Sequence, residues 1–174
     1  MSNVLIGIIG VILFIGLALA GALFLGPRFQ EASNNAKAAA VVQSMDQFTK
    51  AVNMYQTMEG TPMPAVGAAS VFTLANKGYL KSVIVSPFNG AVFAINDATG
   101  NGGPDPADHV ETNLGDFDNT VAKSVCEAIE RQAGGTGTLQ SVTDWGYRMK
   151  NSHRTGCFLY TLPSPAQYRA YSPI

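Results

Sequence analysis

The chain has 174 residues, 47% hydrophobic and only 13% charged, with 11 Lys+Arg against 12 Asp+Glu for a formal charge of −1. That balance excludes a polybasic nucleic-acid binder, which needs a positive field to displace counterions from phosphates, and the apolar content excludes a disordered acidic tail. Two cysteines and two histidines, widely spaced, exclude a four-ligand Cys/His zinc site, which leaves a membrane-associated or filament-forming protein.

The run from Val4 to Leu25, VLIGIIGVILFIGLALAGALFL, carries no charge. At 1.5 Å per residue it makes about 33 Å of helix, enough to cross a hydrocarbon core of about 30 Å. No basic residue precedes it, which predicts a retained helix rather than a removed signal peptide. Gly7, Gly10, Gly16, Gly21 and Gly26 punctuate the run, and Gly costs about 1 kcal/mol relative to Ala inside a helix. The spacings Gly16 to Ala20 and Ala18 to Ala22 permit close approach of another apolar helix. The plainer reading is a single-pass anchor; the sharper one is a helix that packs against copies of itself and locally unwinds near its glycines. Arg28 and Lys37 come after the run and would draw the C-terminal part of the chain into the cytoplasm, whereas a cysteine pair in a small domain points to the opposite side.

Pro27 is expected to kink or interrupt the helix. Beyond it, Val41, Met45, Phe48, Val52 and Tyr55 recur at spacings of four and three, with Met58 extending the stripe and Lys50, Asn53 and Gln56 lying off it. Such a one-sided helix packs on its own chain; a coiled-coil dimer is the alternative, but the heptads do not continue far enough. Gly60, Thr61, Pro62 and Pro64 end it. The two halves together form one helix of about 55 residues, some 80 Å long.

Residues 61–174 read as a small mixed domain. VFTLANKGYL predicts a short helical turn stopped by Gly78, and SVIV (82–85) with AVFAI (91–95) predicts a hairpin through Asn89-Gly90. Residues 97–115 read as a surface loop. Asp118 or Asn119 is placed to N-cap the helix TVAKSVCEAIERQA, closed by Gly134-Gly135, with Val121, Val125 and Ile129 on one face and Cys126 beside them. LQSVTDW and GCFLYTL are strand candidates, and the Pro-punctuated tail PSPAQYRAYSPI reads as an edge or surface segment. Cys126 and Cys157 are an even pair. In an exported domain that is most simply a disulfide, worth about 3–4 kcal/mol by the chain-entropy estimate; the alternative is two buried thiols.

Few residues suggest chemistry. Asp97, Asn101 and Asp108, with Gly102 at the sixth position, mimic an oxygen-rich calcium loop, but Thr99 stands third, the last ligand is Asp rather than Glu, and Pro104 and Pro106 intervene, so a solvated turn is preferred. His109 and His153 read as surface residues. Trp145, Tyr147, Arg148, Lys150, His153 and Arg154 form an aromatic-basic patch suited to DNA, glycans or an acidic neighbour, with an ordinary surface or subunit contact the plainer reading. No nucleophile–base–orienter set is close in sequence, so neither an enzyme nor a cofactor is expected.

Four features taken together resemble a type IV pilin, more narrowly the type IVb kind, with thin-pilus pilins of conjugative plasmids the nearest subgroup. They are the apolar run NVLIGIIGVILFIGLALAGALFL, its one-sided continuation 28–59, the helix-then-hairpin TLANKGYLKS to SPFNGAVFAI, and the late pair SVCEAIERQAGG to GCFLYTL. The resemblance implies an α+β fold in three parts. Residues 1–27 form the membrane and filament-core helix, 28–60 pack on the head, and 61–174 form a small antiparallel-sheet head whose C-terminal region is bounded by a Cys126–Cys157 disulfide. It implies assembly through Met1, Leu5, Gly7, Gly10, Phe14, Gly16, Ala20 and Pro27. A basic leader ahead of Met1 would be cut by a prepilin peptidase, often with methylation of the new N-terminus. The subunit would wait in the inner membrane until an ATPase-driven machine moved it into an extracellular helical homopolymer used for adhesion, aggregation or conjugative DNA transfer, with nucleic acid engaged only indirectly. The sequence departs from the family at Leu5, where members usually carry a Glu that pairs with a neighbour's N-terminal amine; no carboxylate precedes Glu31. The amine would then turn to Ser2 or Asn3, or the subunit would dock differently. That departure also fits a minor pilin or secretion pseudopilin. An anchored envelope binding protein is the alternative from another class.

Overall fold

Uninterrupted helix-compatible sequence builds the longest element, α1 (Ser2–Glu59), in the computed structural model, which describes residues 2–63, 67–96, 109–143, 154–162 and 164–174. Pro27 lies inside α1 and does not interrupt it. A proline removes one helical N–H, and the turns on both sides propagate cooperatively past that loss. The helix stops where Gly60 takes φ +66° and its N–H donates to the Gln56 carbonyl at 3.0 Å, a left-handed closure that glycine adopts without steric cost. The chain divides into two compact units, Met1–Asn34 and Asn35–Ile174.

In the second unit, α1 turns the predicted stripe inward: Val41, Met45, Phe48 and Val52 are fully buried and Tyr55 nearly so. Met58 does not join them and is 70% exposed. Apolar packing ends at Tyr55, whose ring meets Tyr79 edge-on at 5.3 Å. Beyond it the helix is held by polar contacts, with Glu59 accepting from Lys77 Nζ at 3.1 Å and from the Tyr79 hydroxyl at 3.0 Å. The Lys77 and Tyr79 hydrogen bonds hold the Glu59 carboxyl below its ordinary range. The short helix α2 (Ala69–Asn76) buries Val71 and Leu74, and Gly78, at φ +83°, ends it as the sequence predicts.

The strands are β1 (Ala94–Asn96), β2 (His109–Asp116), β3 (Ser141–Val142), β4 (Gly156–Tyr160) and β5 (Gln167–Pro173), with α3 (Thr120–Gln132) between β2 and β3. They form one sheet in the order β1-β2-β5-β4-β3, antiparallel except for the β3–β4 pair. The fold class is α+β. One sheet face (Ile95, Val110, Leu114, Tyr168, Ala170, Cys157) joins α1, α2 and α3 in the core. α3 begins as expected: the Asn119 side chain accepts from the Val121 and Ala122 N–H groups at 3.1 and 3.0 Å. It buries Val125, Cys126 and Ile129, while Val121 is only partly buried.

Three further expectations change. The stretch read as a loop contains β2, one of the interior strands; residues 97–108 lie outside the described residues. The tail is not an edge: β5 pairs with β2 on one side and β4 on the other. Its prolines stand at or beyond the ends, so the Pro-free stretch Gln167–Ser172 donates to both neighbours. The 82–95 hairpin shrinks to a single Val85–Val92 bridge. The Asn89-Gly90 turn does form, with Ser86 N–H donating to Ala91 O at 2.7 Å. Asn89 Nδ2, however, reaches across to Asn113 O at 2.9 Å, and Phe93 is buried against Phe48. Those contacts pull the chain away from a longer ladder.

Candidate assembly surface

Within the first unit, residues 4–25 form a helical run apolar all round. Between Val4 and Leu23, twelve described large apolar side chains are exposed, from 49% at Ile9 to 78% at Leu17 and Leu23. Burying each such side chain is worth about 1.5–3 kcal/mol. The helix is long and apolar enough to cross a membrane. A Cβ added at Gly7, Gly10, Gly16, Gly21 or Gly26 meets nothing within 4 Å. The notches they leave are therefore open to a neighbouring backbone. Of the predicted assembly residues, Gly7, Gly10, Phe14, Gly16, Ala20 and Pro27 all lie in α1 and are exposed. Leu5 lies in α1, and Met1 lies outside the described residues. No acidic residue stands in the first turn.

In the head, Cys126 and Cys157 form a disulfide that ties α3 to β4 across a Cα–Cα distance of 5.3 Å. One turn beyond Cys126 along α3, buried Glu130 makes a second tie. Its Oε1 accepts from the Cys157 N–H at 2.7 Å, and its Oε2 accepts from Arg154 Nη2 at 3.1 Å. A Cβ at Gly156 would stand 2.6 Å from both Glu130 Oε1 and the Tyr171 hydroxyl oxygen, so a side chain here would have to displace the Glu130 carboxylate and the Tyr171 ring.

The other sheet face carries His109, Glu111, Phe158, Arg169 and Tyr171. Glu111 Oε1 accepts from Arg169 Nη1 at 3.0 Å, and the pair is 9% and 21% exposed. Burial pushes the Glu111 carboxyl up to about 7, outweighing the opposing pull of Arg169 and Asn96. His109, read as a surface residue, is buried at 2% exposure, with its ring 6.4 Å from that of Tyr171. Sequence reading missed it because a lone histidine beside a polar loop carries no cue that its strand lies inside a sheet. Glu111 was missed for the same reason, Arg169 because its segment read as an edge, and Glu130 because a charge on a one-sided helix reads as part of the solvated face. The signal available for His109 and Glu111, a period-two alternation through Val110, Thr112 and Leu114, marks a strand but not its partner.

Asp97, Asn101 and Asp108 lie outside the described residues, as do Trp145, Tyr147, Arg148, Lys150 and His153 of the aromatic-basic patch. Arg154, its described member, is engaged by Glu130. Among the described residues no three His, Cys, Asp or Glu side chains converge for a metal. A cleft of about 260 Å³ lined by Val42, Ile129, Gln132, Ala133, Arg154 and Thr155 holds no nucleophile–base pair. No family model, curated protein or solved structure matches the chain. The long apolar N-terminal helix and the small mixed sheet are compatible with a pilin-like fold. What this surface can do physically is exclude water, either in a bilayer or against other apolar helices.

Proposed function

We propose that the protein is the structural subunit of a type IVb-like pilus. It is held in the inner membrane by residues 4–25 and then polymerises through that segment into an extracellular filament. The observation that carries the reading is the exposed apolar stretch from Val4 to Leu23, joined to a disulfide-tied α+β head. A helix apolar on every side has no buried partner in its own unit, and a filament core of identical helices supplies one. The disulfide that staples the head's small core is the kind of cross-link small exported domains use. A prepilin peptidase and an assembly ATPase are the partners this reading requires. The work of the filament (adhesion, aggregation or conjugative transfer) follows from surfaces of the assembled polymer.

The test is to shear cells that make the protein, pellet the fibres and take the intact mass of the main band. A dominant 18.3 kDa chain lighter by two hydrogens for the disulfide, with methylation read from the N-terminal peptide, supports a major pilin. A trace amount relative to another pilin supports a minor pilin or pseudopilin, the second reading, which the absence of an acid from the first turn of α1 favours. A detergent-extractable monomer that never enters the pellet would sink both and leave the anchored envelope protein.

A further inference from the structure

We infer that Arg28 and Glu31 form ion pairs between neighbouring copies of the chain and fix the register in which their apolar helices pack side by side; the inference rests on the filament reading above. These two are the sole charged side chains in residues 1–36. Both lie in α1 just past the apolar run, and both are exposed. Neither belongs to any ion pair among the described residues. They are about 60° apart around the helix and one turn apart along it, so they share a face. The basic residue precedes the acidic one, which is the weaker order for a pair within one helix. Their charges remain available to a neighbour.

Lateral packing that buries Val4–Leu23 brings helix axes to about 8–10 Å. Arg28 and Glu31 are then partly desolvated together, and a charge so placed needs an opposite partner. A second copy supplies both signs. Parallel helices displaced by about one turn, some 5 Å, set Glu31 of one copy beside Arg28 of the next. An antiparallel pair meeting at the same residues would instead lay residues 4–25 against 34–55. That stretch carries Lys37, Asp46 and Lys50, and its apolar stripe is already buried in its own head. Only the parallel arrangement keeps apolar surface against apolar surface while satisfying both charges. A lipid phosphate is the rival partner for Arg28, and it makes no use of Glu31.

The experiment uses the full chain in the shearing assay, comparing Arg28→Glu, Glu31→Arg and the exchanged double variant. Oxidation of Cys126–Cys157, read by intact mass in the membrane fraction, confirms that each head has folded. The expected result is a roughly tenfold loss of pelleted polymer for each single variant, from juxtaposed like charges, with recovery in the double variant. Wild-type polymer yields from either single variant overturn the inference. So does a double variant no better than the singles. Loss with Arg28→Glu alone, Glu31→Arg assembling normally, overturns it in favour of the lipid phosphate. If the wild-type chain itself forms no polymer, the filament reading fails and carries this inference with it.

Discussion

Residues 4–23 and 38–55 belong to the same helix, yet the first stretch leaves its described large apolar side chains 49–78% exposed while the second buries Val41, Met45, Phe48 and Val52 completely. The difference is one of pattern. In the second stretch apolar residues return every third or fourth position and polar ones fill the rest, so a single face finds a core and the other face stays wet. In the first, no face is polar, and no single-sided contact within a small domain can satisfy it. One secondary structure thus serves two solvents. The stretch that can be covered by its own head stabilises the fold, and the stretch that cannot is free for a membrane or an assembly.

The sharpest way to break this comparison is to truncate one aromatic residue in each stretch. Phe48→Ala should lower head stability by about 3–5 kcal/mol, the cost of a large core cavity. Phe14→Ala should change it by less than about 0.5 kcal/mol. Denaturant unfolding followed by near-ultraviolet circular dichroism reads both, and equal losses would mean the two stretches are not distinct. Next in size, Cys126→Ala/Cys157→Ala should cost about 3–4 kcal/mol, because the released loop regains its unfolded-state freedom; the same unfolding curves measure it.

The buried Glu111–Arg169 pair gives a pH signature confined to the head. Burial raises the Glu111 carboxyl from 4.5 to about 7 in the folded state. The folded protein therefore holds an extra proton between those values. The stabilising contribution is fully present below pH 4.5 and is lost as pH rises through about 7. The loss is at most on the order of 3 kcal/mol. Subtracting the Glu111→Gln stability profile from that of wild type should show this slope; a flat difference would mean that Arg169 keeps the carboxylate ionised throughout. The smallest effect belongs to the α3 cap. Asn119→Ala leaves the Val121 and Ala122 N–H groups without their side-chain acceptor and should cost about 1 kcal/mol in thermal or denaturant unfolding.

Much of this architecture was legible from residue order. The stripe Val41–Tyr55, the Asn119 cap and the glycines at 60, 78 and 134 are local signals, each complete within a turn or two of chain. Met58 failed because periodicity cannot say where a helix outruns the body it packs on. β2 and β5 failed for a related reason. The segment HVETNLGD reads as polar, and QYRAYS places a charge mid-strand. Glu111 and Arg169 become acceptable interior residues only when the pairing of the two strands brings them within 3.0 Å of each other. The candidate assembly helix was the most legible part of all, since an uncharged run of its length leaves few physical alternatives.

The sequence alone determined that an apolar helix leads into a one-sided one, that this helix stops at Gly60, that Asn119 caps α3, and that two cysteines in the head were available to pair. These features depend on the intrinsic preferences of neighbouring residues and on spacing along the chain. Only the tertiary structure decided the sheet order, the interior position of the C-terminal strand, the burial of His109 and the clasp of Glu130 over Gly156. Each of those depends on contacts between residues far apart in the chain, where burial can be offset only by a partner that folding brings into place.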